Sequence, residues 1–189
     1  MEHRVIMLVD LDYFFAQIEE VRNPSIKDKP VAVCVYSGRS GDSGAVSTAN
    51  YIARKLGVKS GMPIALAKAK LQNVEAVFLS VDHNFYEEVS DRIMDLLRGY
   101  ADRFEQVSID EAYLDVSLRV KGGFEEAAEL GQTIKKEIRI QHNLTCSIGI
   151  GPNKLVAKIA ADSQKPDGLT IVRPEEVVGF LSLLPVNKA

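Results

Sequence analysis

The acids Asp110 and Glu111 stand side by side where two short apolar runs meet, at 104–109 and 112–117. A hairpin turn more often carries Asn-Gly or Asp-Gly at such a point, so two adjacent acids are unusual there. A third acid, Asp10, closes the first apolar run of the chain. If these segments are strands of one sheet, three carboxylates meet at one edge, which is typical of a divalent metal site.

Carboxylates held close together without a partner destabilise a fold and raise one another's pKa, unless a cation neutralises them. Mg²⁺ takes one or two protein carboxylates and completes its octahedron with water and substrate phosphates, which favours phosphoryl transfer over a closed structural site. Two ions roughly 3.5–4 Å apart would activate an attacking oxygen and stabilise a leaving one. The alternative is a local structural role for each acid, because Asp often hydrogen-bonds the backbone at strand ends and turns.

Length and composition limit the other possibilities. A chain of 189 residues suits one ordinary domain or a core domain with a large insertion. No apolar run approaches the roughly 18 residues that span a bilayer and no signal-type segment is found, so a soluble, cytoplasmic protein without membrane partners is expected. The net charge of −3 argues against binding nucleic acid by bulk electrostatics. Cys34 and Cys146, without a CxxC motif, indicate neither a disulfide framework nor a zinc site.

Hydrophobic periodicity predicts an α+β fold. If segment 24–79 is set aside as an insertion, the rest runs strand, helix, strand, strand, helix, strand, which is the ferredoxin-like βαββαβ order. That order places the first strand beside the 104–117 hairpin and brings Asp10 near Asp110. The predicted elements are strand 5–10, helix 13–21, strands 31–35 and 45–48, helices 49–56 and 63–71, strand 75–79, helix 83–99, strands 104–109 and 112–117, helix 124–142, strand 145–150, helix 153–162 and strand 168–172.

Five separate motifs follow one another along the chain, each modest alone but highly specific in their order and completeness. They are VDLDYFFAQIE (9–19), TANYIAR (48–54), SIDEAYLD (108–115), GIGPNK (149–154) and AADSQKPDG (160–168). Together they resemble the catalytic core of Y-family, translesion DNA polymerases of the DinB (DNA polymerase IV) class. The resemblance covers about positions 4–172 and implies a low-fidelity, template-directed nucleotidyltransferase.

The resemblance also implies a domain organisation. A palm would comprise 1–20 plus 80–172, an inserted small α/β fingers domain 21–79, and the start of a truncated helical thumb 173–189. The family's little-finger domain is absent, so a catalytic fragment is expected. Primer–template DNA and deoxynucleoside triphosphates are the implied partners, together with a sliding clamp that would bind through parts absent from this chain.

Carried over by position, Asp10, Asp110 and Glu111 would be the metal carboxylates, and the main-chain carbonyl of Leu11 would complete one ion's shell. Two Mg²⁺ ions are implied, with Mn²⁺ able to substitute. One would lower the pKa of the primer 3′-hydroxyl while the other holds the incoming triphosphate and the departing pyrophosphate. Asp12 is not a metal ligand in this resemblance.

The resemblance assigns nucleotide contacts to Tyr51, Arg54, Lys165 and Thr48. Tyr51 and Arg54 are three residues apart on the predicted 49–56 helix and so share a face, which lets a phenol and a guanidinium reach one triphosphate. Without the family context, an ordinary surface helix residue or loop cation is the favoured explanation for each of these residues.

Two adjacent aromatic residues are assigned to the sugar of the nucleotide. Phe15 stands at the family's steric-gate position, where a bulky ring excludes a ribose 2′-hydroxyl, and Phe14 is expected to contribute mainly its backbone. The alternative for either ring is ordinary core packing.

A helix predicted to open at Asn153 and Lys154 presents free backbone amides beside a cation, which suits a phosphate of the DNA backbone. The same strand-to-helix turn is common in any α/β domain. A second function class therefore stays open, a ferredoxin-like nucleotide- or nucleic-acid-binding module whose carboxylates are structural and which does no catalysis.

Overall fold

The structure, a computed structural model, describes residues 4–38 and 41–183. These fall into two compact units. The first unit contains the described residues up to Asp12 and from Glu88 onward, and the second unit is Tyr13–Glu87. The sequence placed the palm and fingers boundaries at 20/21 and 79/80 instead, and that domain assignment stays a prediction.

In chain order, the strands and α-helices are β1 (Ile6–Leu11), α1 (Phe14–Arg22), β2 (Val31–Tyr36), β3 (Gly44–Ala49), α2 (Tyr51–Lys55), α3 (Ile64–Lys70), β4 (Val77–Ser80), α4 (His83–Gly99), β5 (Arg103–Gln106), β6 (Glu111–Asp115), α5 (Phe124–His142), β7 (Cys146–Gly151), α6 (Lys154–Ser163), β8 (Leu169–Ile171) and α7 (Val177–Ser182). Short 3₁₀ turns occupy Pro24–Ile26 and Pro174–Glu176. No helix in the described parts of the chain is long and apolar enough to cross a membrane.

The first unit is built on a five-stranded sheet in the order β5-β6-β1-β7-β8. Strand β1 runs antiparallel to both β6 and β7, and β8 extends the sheet parallel to β7. Without β8, the order of the four remaining strands is that of a βαββαβ ferredoxin-like sheet. The predicted α+β fold and the predicted neighbourhood of the first strand and the 104–117 hairpin are both confirmed.

Helix α6 lies directly against this sheet. Ala157 and Ala161 of the helix pack on Ile6 and Leu8 of β1. A Cβ atom added at Gly149 of β7 would stand 1.9 Å from the Ala157 carbonyl oxygen, so only glycine allows this close approach. The glycine of the GIGPNK motif thus fixes where the side chains of α6 stand over the sheet.

The second unit has its own three-stranded sheet in the order β3-β2-β4, with β3 antiparallel and β4 parallel to β2. Its buried core joins this sheet to helices α2 and α3. The core residues are Ala32, Cys34, Val46, Ala49, Ala53, Val58, Ile64, Ala67 and Leu71. The predicted hairpin of 31–35 with 45–48 is confirmed by the pairing of β2 and β3.

Several predicted boundaries were wrong by one to three residues, for local reasons. Helix α2 begins at Tyr51 rather than 49, because Asn50 is its N-cap and accepts a hydrogen bond from the Ala53 amide. Pro63 stands before helix α3 as its N-cap residue rather than in its first turn. Strand β5 ends at Gln106, and Asp110 therefore lies in the turn before β6 rather than at a strand end.

The segment predicted as the start of a thumb folds as a 3₁₀ turn followed by α7. Val177 and Phe180 pack against a small buried cluster of Val156, Ala160 and Val172. This part of the chain therefore contacts α6 within the first unit. The last six residues of the predicted 173–189 thumb segment lie outside the described residues.

Candidate active site

Main-chain pairing brings the three predicted acids together at one end of β1. Asp10 stands opposite Glu111 in the register of β1 and β6. The Leu11 amide donates a hydrogen bond of 2.9 Å to the carbonyl oxygen of Asp110. The strand order predicted from the sequence is thus what makes Asp10, Asp110 and Glu111 neighbours, and we refer to these three residues as the carboxylate edge.

Each member of the carboxylate edge has a polar side-chain partner. Lys165 reaches Asp10 with an Nζ to Oδ2 distance of 2.5 Å, and Lys158 reaches Glu111 at 2.6 Å. The Ser108 hydroxyl donates to Asp110 at 2.6 Å. Two lysines from α6 and the loop that follows it therefore provide positive charge at this edge.

Burial and charge shift the ionisation of the Asp10–Lys165 pair. Burial raises the pKa of Asp10 to about 6, against the lowering effect of Lys165 and with added repulsion from Asp110 and Glu111. Burial alone would lower the pKa of Lys165, but its hydrogen bond to Asp10 and the charge of that carboxylate outweigh burial and raise it. At neutral pH both groups are charged, and the ammonium offsets the repulsion among the three acids.

Within 4–38 and 41–183, no three His, Cys, Asp or Glu side chains converge closely enough to hold a metal ion. The chemistry of the donor set still fits a hard divalent cation, because Asp10, Asp110 and Glu111 offer only oxygen ligands. Burial is the main cause of the raised pKa of Asp10, and the charges of Asp110 and Glu111 add to it, so a bound cation would favour the ionised form of Asp10. The metal assignment from the sequence stays a prediction.

Asp12 lies two residues from Asp10 but has a different environment. It is only 1% exposed and accepts hydrogen bonds from the hydroxyls of Thr145 and Ser147, each at 2.7 Å. The main-chain amide of Asp167 donates to it at 2.9 Å. Asp12 thus fastens the end of β1 to β7 and to the loop that carries Lys165, a role that sequence reasoning missed.

In the second unit, the predicted triphosphate contacts stand on or beside α2. Tyr51 and Arg54 share a face, with the guanidinium carbon 5.1 Å from the centre of the Tyr51 ring. The Arg54 side chain is exposed, but its Nε group donates a hydrogen bond of 2.8 Å to the Ala49 carbonyl oxygen, which holds one edge of the guanidinium in place. Thr48 lies in β3, opposite Val33 of β2.

The two aromatic residues assigned to the sugar have different surroundings. Phe14 is 2% exposed, so its ring belongs to the core, and the predicted backbone contact with the nucleotide stays a prediction. Phe15 is half-buried and stacks on Tyr86, with ring centres 4.4 Å apart. The Tyr86 hydroxyl donates to Glu19 at 2.8 Å. The ring of Phe15, the candidate steric gate, is therefore held in place by its contact with Tyr86.

The predicted DNA contacts divide into one structural side chain and one exposed cation. The Asn153 side chain caps α6 by accepting a hydrogen bond of 2.9 Å from the Val156 amide. Lys154 is exposed, pairs with Glu105 and lies over the Tyr113 ring at 5.3 Å. Of these two residues, only Lys154 therefore has a positively charged side chain, which suits a phosphate.

Comparison with known proteins is consistent across sequence and structure. The family profile described as "impB/mucB/samB family" matches residues 9–162. A DNA polymerase IV from Nitrosopumilus maritimus (strain SCM1) is 56% identical over 188 residues, covering 99% of this chain and 52% of that protein. The chain thus spans about half the length of the curated relatives it matches.

Solved structures agree with this result. A Y-family DNA polymerase chimera of Dbh and Dpo4 superposes with a TM-score of 0.93 at 52% identity, over 97% of this chain and 53% of the other. The insertion ternary complex of Dbh DNA polymerase gives a TM-score of 0.91 at 52% identity, with 97% and 53% covered. The likeness in fold therefore extends over nearly all of this chain.

Proposed function

The chain belongs to the impB/mucB/samB family, and we propose that it is the catalytic part of a template-directed DNA polymerase of the low-fidelity, lesion-bypass type. The names of its relatives, DNA polymerase IV and Y-family DNA polymerase, support this reaction class. The first unit would correspond to the palm and most of the second unit to the fingers. Primer–template DNA and deoxynucleoside triphosphates would be the substrates, in the cytoplasm.

The carboxylate edge is the observation that carries the proposal. Asp10 faces Glu111 across two paired strands, and Asp110 is hydrogen-bonded to the same strand end. We assign these side chains and the main-chain carbonyl of Leu11 as ligands of two divalent ions, Mg²⁺ or Mn²⁺. When bound, such ions lower the pKa of the attacking hydroxyl and neutralise the triphosphate and the leaving pyrophosphate.

The remaining residues would bind and orient the nucleotide. Arg54 supplies a planar guanidinium suited to phosphate oxygens, and Tyr51 and Thr48 supply single hydroxyl donors. Lys165 adds a cation for the triphosphate. The Phe15 ring, supported by Tyr86, would exclude a ribose 2′-hydroxyl. Lys154 would contact a phosphate of the DNA backbone, and a sliding clamp would bind through segments outside this chain.

Single-nucleotide insertion tests the proposal directly. A primer is annealed to four templates that differ only in the first unpaired base, and each deoxynucleoside triphosphate is supplied in turn with Mg²⁺ at low salt. Low salt strengthens binding to the DNA backbone, which suits a chain of net charge −3. We expect insertion that follows the template base and stops when Mg²⁺ is chelated. Insertion that ignores the template base would contradict template direction, and no insertion with any template would favour a binding module with structural carboxylates.

A further inference from the structure

Glu20 of helix α1 has a buried carboxylate that no step of the proposed reaction uses. The residue is 7% exposed. One carboxylate oxygen accepts a hydrogen bond of 2.8 Å from the Asn50 amide group, and the other accepts one of 3.1 Å from the Tyr13 hydroxyl. All three residues belong to the second unit. Each oxygen thus holds a different segment of that unit.

Asn50 is the more consequential of the two partners, because it caps α2. Its side-chain oxygen accepts hydrogen bonds from the amides of Ala53, at 3.0 Å, and Val31, at 3.1 Å. Its amide nitrogen donates to the Lys29 carbonyl oxygen at 2.8 Å as well as to Glu20. Glu20 and the Lys29 carbonyl oxygen therefore together fix the orientation of the Asn50 side chain so that its oxygen, rather than its nitrogen, faces the amides.

Helix α2 depends on such a cap more than a longer helix would. It has only five residues, and a helix of that length is not stable by its own hydrogen bonds. It nevertheless carries Tyr51 and Arg54. The ring of Tyr13 also meets the ring of Tyr51 edge-on, with centres 5.1 Å apart. Asn50 thus connects Glu20 to the helix that carries Tyr51 and Arg54, and Tyr13 connects Glu20 to the Tyr51 ring.

We propose that Glu20 is a positioning residue, whose carboxylate locks the cap of α2 and the Tyr13 ring and thereby sets where Tyr51 and Arg54 meet the nucleotide triphosphate. This inference rests on the proposed function and adds to it a residue that touches neither substrate nor metal. Glu20 acts through Asn50 and Tyr13 rather than on the reacting atoms.

The cost of keeping Glu20 ionised supports a role beyond stability. Burial raises the pKa of Glu20 despite the hydrogen bonds from Asn50 and Tyr13, with a lowering effect from Lys27 and a raising effect from Asp28. The ionised carboxylate is therefore less favourable in the folded chain than in water. Ionisable groups whose pKa is shifted in this way are found more often at functional sites than elsewhere in a fold.

Three variants separate positioning from general stability: Glu20→Ala, Glu20→Gln and the control Glu87→Gln, at an exposed glutamate of the same unit. In steady-state insertion well below the unfolding temperature, we expect Glu20→Ala to raise the KM for the nucleotide about tenfold, the effect of losing a good cap. The kcat should change less. Glu20→Gln should fall between Glu20→Ala and the control, since the new amide keeps one acceptor. An unchanged KM in folded Glu20→Ala would overturn the proposal.

A reversal of polarity tests the contact itself. Asn50→Asp keeps the oxygen that caps α2 but places a second carboxylate against Glu20, so the KM should rise. In the double variant Glu20→Gln/Asn50→Asp, the new amide can donate to the new carboxylate, so part of the rise should disappear, while the loss of the hydrogen bond to the Lys29 carbonyl oxygen is common to both variants. Effects that simply add in the double variant would show that the two side chains act independently and would refute the proposal.

Amide hydrogen exchange keeps this test independent of catalysis. The Ala53 amide should exchange faster in Glu20→Ala than in the unsubstituted chain and in Glu87→Gln, because its bond to Asn50 is weakened. Equal protection in all three proteins would refute the positioning role, whatever their activity. If the proposed function is wrong instead, the unsubstituted chain will insert no nucleotide, but the protection of the Ala53 amide will still depend on Glu20.

Discussion

Asp10 and Glu111 stand on strands whose positions are set by main-chain hydrogen bonds, whereas Tyr51 and Arg54 stand on a five-residue helix whose first turn also depends on the side chain of Asn50. In the first unit, the register of β1 and β6 brings the acids together even if the surrounding side chains change. In the second unit, the placement of the binding groups depends on Asn50 and, through it, on Glu20.

This difference predicts that substitutions in the two regions change different kinetic parameters, kcat in one and KM in the other. A substitution at the carboxylate edge removes a proposed metal ligand and should leave the sheet intact, so we expect it to act on the rate of the chemical step. A substitution around α2 displaces a binding group and should act mainly on the KM for the nucleotide. The predictions below test that division.

Replacing Glu111 should give the largest effect. The Lys158 pair that is lost is partly exposed, so folding should change little. Loss of a metal ligand should lower kcat on the order of 10³-fold, which corresponds to several kcal/mol of transition-state stabilisation. Measurement of kcat and of the unfolding temperature in Glu111→Gln checks both parts.

Glu105→Gln is the matched control for that experiment, because Glu105 also pairs with a lysine of α6, Lys154, but lies in β5 away from the carboxylate edge. Its kcat should stay close to that of the unsubstituted chain. Similar losses in the two variants would mean that α6 ion pairing, rather than metal binding, explains the effect.

Arg54→Ala should come next and should act on affinity. A charge-assisted hydrogen bond contributes about 1.5–3 kcal/mol, so the KM for the nucleotide should rise roughly 10- to 100-fold with a smaller change in kcat. Lys55→Ala, at the neighbouring exposed cation of α2, is the control and should leave the KM nearly unchanged. A large fall in kcat with an unchanged KM in Arg54→Ala would contradict the proposal that substitutions around α2 act mainly on the KM.

Phe15→Ala should change selectivity between sugars. Removing the ring that stacks on Tyr86 opens space at the predicted gate. One pocket contact of this kind is worth about 1–3 kcal/mol, so the preference for deoxyribonucleotides over ribonucleotides should fall by at least about tenfold. Competition between the two nucleotides in one insertion reaction measures this ratio, and unchanged discrimination would remove Phe15 from the gate role.

The smallest expected effect is a dependence of stability on pH. Because the pKa of Glu20 is raised in the folded chain, its protonated form favours folding, and that contribution is present at low pH and lost as pH rises through the folded-state pKa. Lowering the pH from 7 toward 4 should therefore stabilise the unsubstituted chain relative to Glu20→Gln. Parallel denaturant titrations across this range would show it. A difference that does not change with pH would contradict the raised pKa.

Much of the first unit could be predicted from the sequence because its signals are local and repeated. Alternation of strand and helix patterns was sufficient to predict the ferredoxin-like order, and that order was sufficient to place Asp10 near Asp110, whereas the exact pairing of Asp10 with Glu111 came from the structure. The five motifs identified the family. By contrast, β8 was predicted as a strand, but its place beside β7 depends on tertiary packing that no local pattern reports.

The side-chain partners of the acids could not be predicted either, because they also depend on tertiary packing. Lys165 pairs with Asp10 and Lys158 with Glu111 across 155 and 47 positions of the chain. The predicted DNA contact at Asn153 rested on the backbone amides of the helix start and stays a prediction, whereas the capping of α6 by its side chain was missed, although its position just before the helix signals that role. The same reading at Asn50 would have predicted the start of α2, but nothing in the sequence links Asn50 to Glu20.

One measurement tests the central claim, that the carboxylate edge performs metal-dependent nucleotidyl transfer. Single-turnover insertion is followed over a range of Mg²⁺ concentrations for the unsubstituted chain, for Asp110→Asn and for Asp91→Asn at an exposed control position. The account predicts a rate that saturates with Mg²⁺ in the first and third proteins. In Asp110→Asn it predicts a rate roughly 10²-fold or more lower at every Mg²⁺ concentration. Equal rates in all three proteins would contradict it.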